Sequence, residues 1–246
     1  MGKVIAILSG KGGTGKSTTT AALGCALSEL EHSVVCVDAD SELQNLDLCL
    51  GLSDQALLDY GDVFSGMTTL QNALIPSPIY PRLRLLAAPQ EPVEGDLSTL
   101  IRELREENDY VLVDYPGGLG GILDEAAAVS DLILIVAAAD PCAHRDAERT
   151  AQILREKGCG EARLLMNRVN LRLLRQQEIT LDDSIDQVGL RLIGYVPEDI
   201  RVTAALTQGI PLLSYTQSGR GAAAAYRRIA KRIDGQKVRI KYPVFH

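Results

Sequence analysis

Short apolar runs recur along the chain with little polar alternation inside them: VIAIL at 4–8, VVCVD at 34–38, LRLLA at 83–87, YVLVD at 110–114, LILIVA at 132–137, RLLMN at 163–167 and LRLIGY at 190–195. A strand with one wet face alternates apolar and polar residues. Strands of a parallel sheet, covered on both faces, do not. Between the runs, segments 16–30, 54–65, 95–107, 143–157, 182–188 and 219–233 carry helical patterns. This alternation predicts right-handed crossovers and an α/β fold: a single-domain, doubly wound, mostly parallel sheet with helices on both faces. The tract PSPIYP at 76–81 predicts a surface loop, because strand-like sequence resumes directly after it. No internal repeat divides the chain. One domain over 1–235 and a short tail over 236–246 are expected.

A length of 246 residues with 46% hydrophobic content is enough to bury a substantial core. The formal charge of −7 argues against a surface built for nucleic acid. The longest apolar run, 132–139, is far short of a membrane span. The apolar start is followed at once by a lysine and a glycine loop, which predicts a first strand rather than a signal peptide. Ala6 stands where a myristoylation motif wants Ser or Thr. The five cysteines are scattered without a CxxC pair, which predicts a reduced, cytoplasmic chain with no cluster or structural metal.

Residues 10–17 read GKGGTGKS, which fits the phosphate-loop pattern G-x-x-x-x-G-K-[ST] between a predicted strand and a predicted helix. Gly10, Gly12, Gly13 and Gly15, with Thr14 among them, let backbone N–H groups turn toward phosphate oxygens, and the helix that follows adds the positive end of its dipole. Lys16 is expected on the β- and γ-phosphates and Ser17 on Mg²⁺, with Thr18 offering a further hydroxyl. The run at 110–114 delivers a single carboxylate, Asp114, the arrangement that holds Mg²⁺ through water. The glycines after Pro116 give a backbone able to take two conformations. Asn170 stands where a guanine reader needs an aspartate to accept two donors, which argues for adenine. None of this uses Lys11.

Lys11 carries a resemblance. The run K-G-G-x-G-K-S-T resembles the deviant phosphate loop (deviant Walker A motif) of the MinD/ParA family of ATPases, and the likeness extends over nearly the whole chain. DADSELQNLDL at 38–48 resembles the family's first switch and DYPGG at 114–118 its second. The resemblance implies that Lys11 crosses a dimer interface to the partner's nucleotide and that Asp38 joins Ser17 and Asp114 around Mg²⁺. It implies that Asp40, with Lys11 and Lys16, is catalytic, organising the attacking water. Asn167 and Arg168 would flank the adenine on one side, with Pro197 and Asp199 on the other. It further implies bound ATP, an ATP-dependent homodimer and protein partners of the cell-division-regulator type. Flagellar positioning and DNA segregation are the alternative cargoes. A cofactor-maturation ATPase is the reading from another class, and the missing CxxC pair counts against it.

The last predicted helix puts Tyr226, Ile229, Ala230 and Ile233 on one face and Arg227, Arg228, Lys231 and Arg232 on the other, a docked helix with a solvated basic face. By resemblance the chain would end in a basic amphipathic helix that lies on a membrane. The tail instead alternates Lys237, Arg239 and Lys241 with Val238, Ile240 and Tyr242, a period of two, and Pro243 interrupts any helix. Its charges and apolar groups leave a membrane-surface contact open, and nucleic acid is not expected. His144, lone on the segment that opens the helix bordering the dimer and partner surface, reads as incidental.

Overall fold

The computed structural model describes residues 1–91, 93–118, 120–176 and 181–240. In chain order the elements are β1 (Lys3–Leu8), α1 (Lys16–Ser28), β2 (Val34–Asp38), α2 (Leu46–Leu50), a 3-10 turn (Ser53–Gln55), α3 (Tyr60–Phe64), α4 (Leu70–Ala73), β3 (Ile75–Pro76), β4 (Leu83–Leu86), α5 (Leu97–Glu107), β5 (Tyr110–Asp114), α6 (Ile122–Val129), β6 (Leu132–Ala138), α7 (Pro141–Glu156), β7 (Glu161–Val169), α8 (Leu171–Gln176), α9 (Leu181–Val188), β8 (Leu192–Pro197), α10 (Ile200–Thr207), α11 (Leu212–Tyr215) and α12 (Gly221–Ile233).

These strands form one sheet in the order β3-β4-β2-β5-β1-β6-β7-β8, parallel throughout except for the short antiparallel β3 at one edge. Each central strand divides its apolar residues between the two faces. Ile5 and Ile7 of β1 join the core with α1 and α12, while Val4, Ala6 and Leu8 join the core with α5, α6 and α7. Leu132, Leu134 and Val136 of β6 and their neighbours Ile133, Ile135 and Ala137 repeat the division. All six are at most 2% exposed, so the unbroken apolar runs are two interleaved half-cores rather than helix segments.

The expected helix over 54–65 is broken into the 3-10 turn and α3. Asp59 is the reason: its carboxylate accepts from the N–H groups of Gly61 and Asp62 while Asp62 returns a bond to the Asp59 N–H, a capping box that starts a new helix at Tyr60. Helices α2, α4, α6, α8, α10 and α11 were not expected from the sequence, nor was β3.

α12 packs along α1 through its apolar face, as predicted, and Tyr226 bonds the Thr19 hydroxyl at 3.1 Å. Its opposite face is not simply solvated, which corrects the sequence expectation. Arg227 grips Glu29 through two bonds of 2.6 and 2.8 Å. Arg232 donates to the carbonyls of Ile193, Val238 and Arg239, pinning residues 236–240 to β8 without a helix. Lys241, Tyr242 and Pro243 lie outside the described residues. Among the described residues no helix is long and apolar enough to cross a membrane.

Candidate nucleotide site

The C-terminal ends of β1, β2, β5 and β6 open onto one rim, where an open α/β sheet binds its ligands. β1 occupies the point at which connections change side: the chain runs from β1 to β2 and β4, returns at β5, then passes over β1 to β6. The loop at 9–15 leaves this rim and feeds α1. Gly13 and Gly15 adopt φ of 76° and 92°, in the left-handed region that suits glycine. Gly15 caps α1 without a side-chain bond, and no acidic residue stands in the first turn, so the helix presents bare N–H groups toward the loop. Lys16, the first residue of α1, is only 7% exposed, and its charge acts on Asp114.

The cradle is braced from three sides. Asn167 donates to the Thr14 carbonyl at 2.8 Å, and a Cβ on Gly15 would stand 2.3 Å from the Asn167 amide nitrogen. A Cβ on Gly10 would meet Asp146 of α7 at 2.6 Å. From the second switch, the Gly118 N–H bonds the Ser9 carbonyl at 3.1 Å. A Cβ on Gly117 would meet the Gly12 nitrogen and the Lys11 carbonyl carbon at 3.1 Å. A side chain at position 117 would collide with the loop backbone. Glycine there lets the second switch lie against the phosphate loop.

Asp38 and Asp114 are register partners at the ends of adjacent strands. They are 3% and 1% exposed. Burial pushes the Asp114 carboxyl up to about 7, aided by Asp38 and Asp40 and opposed by the Ser17 hydroxyl and Lys16. Burial likewise raises Asp38 to about 6, against the N–H groups of Asp40 and Leu46, which bond it at 2.9 and 3.2 Å. One Asp114 oxygen, Oδ1, is buried without a hydrogen-bond partner. Two crowded carboxylates with a spare oxygen and a serine hydroxyl beside them fit a hard divalent cation. No group of three or more His, Cys, Asp or Glu side chains forms a metal cage among the described residues. Asp40, 7% exposed, accepts from the Leu43 N–H at 3.1 Å, which fixes the start of the first switch.

Beside the cradle a cavity of about 500 Å³ opens between Gly15, Thr18, Asn167, Arg168, Pro197 and Tyr226. Its size suits a purine nucleoside. Arg168 takes a left-handed φ of 53°, an uncommon strain for a long side chain and one that turns the chain over the cavity. Asp199 lines the cavity, but its oxygens are committed elsewhere. Arg201 grips them at 2.8 and 2.7 Å, and they also accept the N–H groups of Arg201 and Ala222. Asp199 thus ties the N-terminus of α10 to that of α12 and shapes the wall. Asn167 similarly spends its amide on Thr14 and on the Arg168 N–H.

Lys11 goes elsewhere. Its side chain is 39% exposed and its ammonium lies 3.4 Å from Asp140, at the start of α7. From the sequence Asp140 is only the first residue of the segment that opens α7, with no role of its own, and Tyr226 only a core residue rather than part of the cavity wall. His144 is buried at 6% exposure, not surface-incidental, with its Nε2 unpartnered.

A glycine cradle on a helix N-terminus, a buried lysine, two strand-end carboxylates and a purine-sized cavity together define a P-loop nucleotide-binding protein. The chain belongs to the CobQ/CobB/MinD/ParA nucleotide-binding family, whose model matches residues 5–212. It is 33% identical over 244 residues to the septum site-determining protein MinD of Synechocystis sp., covering 97% of this chain and 91% of that protein. Among solved structures it is similar to the MinC:MinD cell division protein complex of Aquifex aeolicus, with TM-score 0.89 and 29% identity over 97% of this chain and 98% of that one. It is also similar to the septum site-determining protein MinD of Pyrococcus horikoshii OT3 complexed with Mg-ADP, with TM-score 0.82 and 28% identity over 95% and 96% of the two chains.

Proposed function

We propose that this chain is an ATPase switch of the septum-placing kind. Two copies close on ATP, the dimer recruits a cell-division regulator, and hydrolysis returns the copies to monomers. The observation that carries this reading is the division of labour between two lysines. Lys16 is buried at the start of α1 with its charge acting on Asp114, while Lys11 is part-exposed and turned to Asp140. By the family resemblance, such a cation would reach the nucleotide of a second copy. The full-length similarity to septum site-determining proteins, one of them solved with its MinC partner, supports the cargo.

The residues divide the work as follows. The N–H groups of the loop and of the first turn of α1 hold the phosphates, and Lys16 neutralises charge at the β- and γ-positions. Thr18 adds a hydroxyl at the α1 end of the cradle. Ser17, with Asp38 and Asp114 through water, would hold Mg²⁺, which when bound screens the phosphate charge. Asp40, fixed by the Leu43 N–H, orients the attacking water. Lys11 of the second copy adds a positive charge where charge builds on the transferred phosphoryl, so hydrolysis needs both copies. Asn167 and Arg168 edge the base, with Pro197 and Tyr226 as its apolar walls, and Asp199 braces that wall.

Steady-state hydrolysis measured against protein concentration tests this. The rate per chain rises with concentration and then saturates as dimers fill. A rate per chain that stays flat from nanomolar to high micromolar protein refutes the reading.

A further inference from the structure

Lys11 is held where it cannot act. The Asp140 carboxylate accepts the Ala143 N–H at 2.8 Å as the N-cap of α7, and the same oxygen, Oδ1, takes the Lys11 ammonium at 3.4 Å. Desolvation works against the charge on Asp140, yet the Ala143 N–H and then the Lys11 charge keep its carboxyl below the usual range. The cap fixes the carboxylate to the helix, so the mobile member of the pair is the lysine.

The backbone under Lys11 is equally fixed. The Ser9 hydroxyl donates to the Lys11 carbonyl at 2.6 Å, Gly10 is jammed against Asp146, and Gly117 closes on the far side. Release of Lys11 therefore needs only rotation of its flexible stem. A single carboxylate binds it weakly at this exposure. A triphosphate carries several negative charges and outcompetes that carboxylate. A nucleotide without its γ-phosphate competes less well.

We propose that Asp140 is a positioning residue that parks Lys11 on its own subunit in the resting chain and surrenders it only to the polyphosphate of a second copy. This rests on the dimer reading above and adds its regulation: pairing is opposed until ATP is present on the partner. Each dimer opens two such latches. A part-exposed ion pair shifts an equilibrium by about two- to fivefold, so the two latches together weaken dimerisation by roughly four- to twenty-five-fold.

The test compares Asp140→Asn with the unaltered chain. Asparagine caps helices as well as aspartate does, so α7 keeps its start and only the charge is lost. The measurements are dimerisation by sedimentation velocity with a non-hydrolysable ATP analogue, nucleotide affinity of the dilute monomer, and the rate at which Lys11 is acetylated without nucleotide. Asp140→Asn dimerises about four- to twenty-five-fold more tightly. Its monomer binds nucleotide as before, its Lys11 reacts faster, and Asp140→Glu returns dimerisation and acetylation toward their starting values. Equal or weaker dimerisation of Asp140→Asn overturns the latch. Unchanged acetylation of Lys11 overturns it independently of any dimer. Failure of both proteins to dimerise at any concentration, with the acetylation difference intact, instead overturns the dimer reading and with it the regulatory role of Asp140.

Discussion

Lys11 and Lys16 are five positions apart on one loop and meet opposite environments. Lys16 is 7% exposed at the start of α1, whereas Lys11 is part-exposed and paired with Asp140. Lys16→Ala should therefore abolish nucleotide binding by the monomer. Lys11→Ala should leave monomer binding intact and lower hydrolysis by about 10²–10³. Equilibrium titration with a fluorescent ATP analogue beside steady-state hydrolysis separates the two, and equal loss of affinity in both variants contradicts the assignment. Gly15→Ala puts a Cβ at φ 92° and 2.3 Å from the Asn167 amide, so it should cost about 2 kcal/mol in urea unfolding as well as the nucleotide. The loop, its carboxylates and its serine were legible in the sequence because phosphate geometry fixes their spacing and strand ends fix their placement. Asp140 was not legible: it lies 129 residues from Lys11, and a lone aspartate before a proline reads only as a helix cap. Asp199 was legible as a rim residue, but the arginine two positions on that takes its carboxylate was not weighed.

Among the elements, the seven parallel strands could be read to within two residues because burial on both faces leaves an unbroken apolar run, while the two-residue edge strand β3 has no such run. The helix over 54–65 failed because Asp59 restarts the chain inside it, and the unpredicted helices are short pieces whose period spans only one or two turns. α7 carries a prediction of its own. Burial of His144 lowers its pKa from 6.5, with Asp140 pulling the other way, and its Nε2 has no partner. The unfolded chain then takes up this proton more readily than the folded one. The contribution of His144 to stability is full above pH 6.5 and is lost as pH falls through the unfolded value. Urea midpoints at pH 7.5 and about pH 5.5 should converge in His144→Gln relative to the unaltered chain, because the variant removes that titration. An unchanged difference would mean that His144 titrates alike in both states. At α12, Arg232→Ala frees three carbonyl bonds, and amide exchange in residues 236–240 should quicken while the core stays protected.

For the whole molecule, three elements converge on the phosphate loop: α7 through Gly10, the second switch through Gly117, and β7 through Asn167. A nucleotide in the loop would therefore sit against a segment held by all three, the arrangement that the proposed switch needs. The tail enters this account as a weak element: residues 236–240 are fastened to the body by Arg232, and two of the four basic groups on α12 are committed within the chain. Flotation with anionic liposomes should accordingly show modest binding at most, greater with ATP than with ADP. The most direct test of the central claim is sedimentation velocity of Asp40→Ala, in which binding is kept and the water is no longer oriented. A stable dimer with ATP and a monomer with ADP is the predicted result. A protein that binds ATP yet stays monomeric at every concentration would contradict the switch.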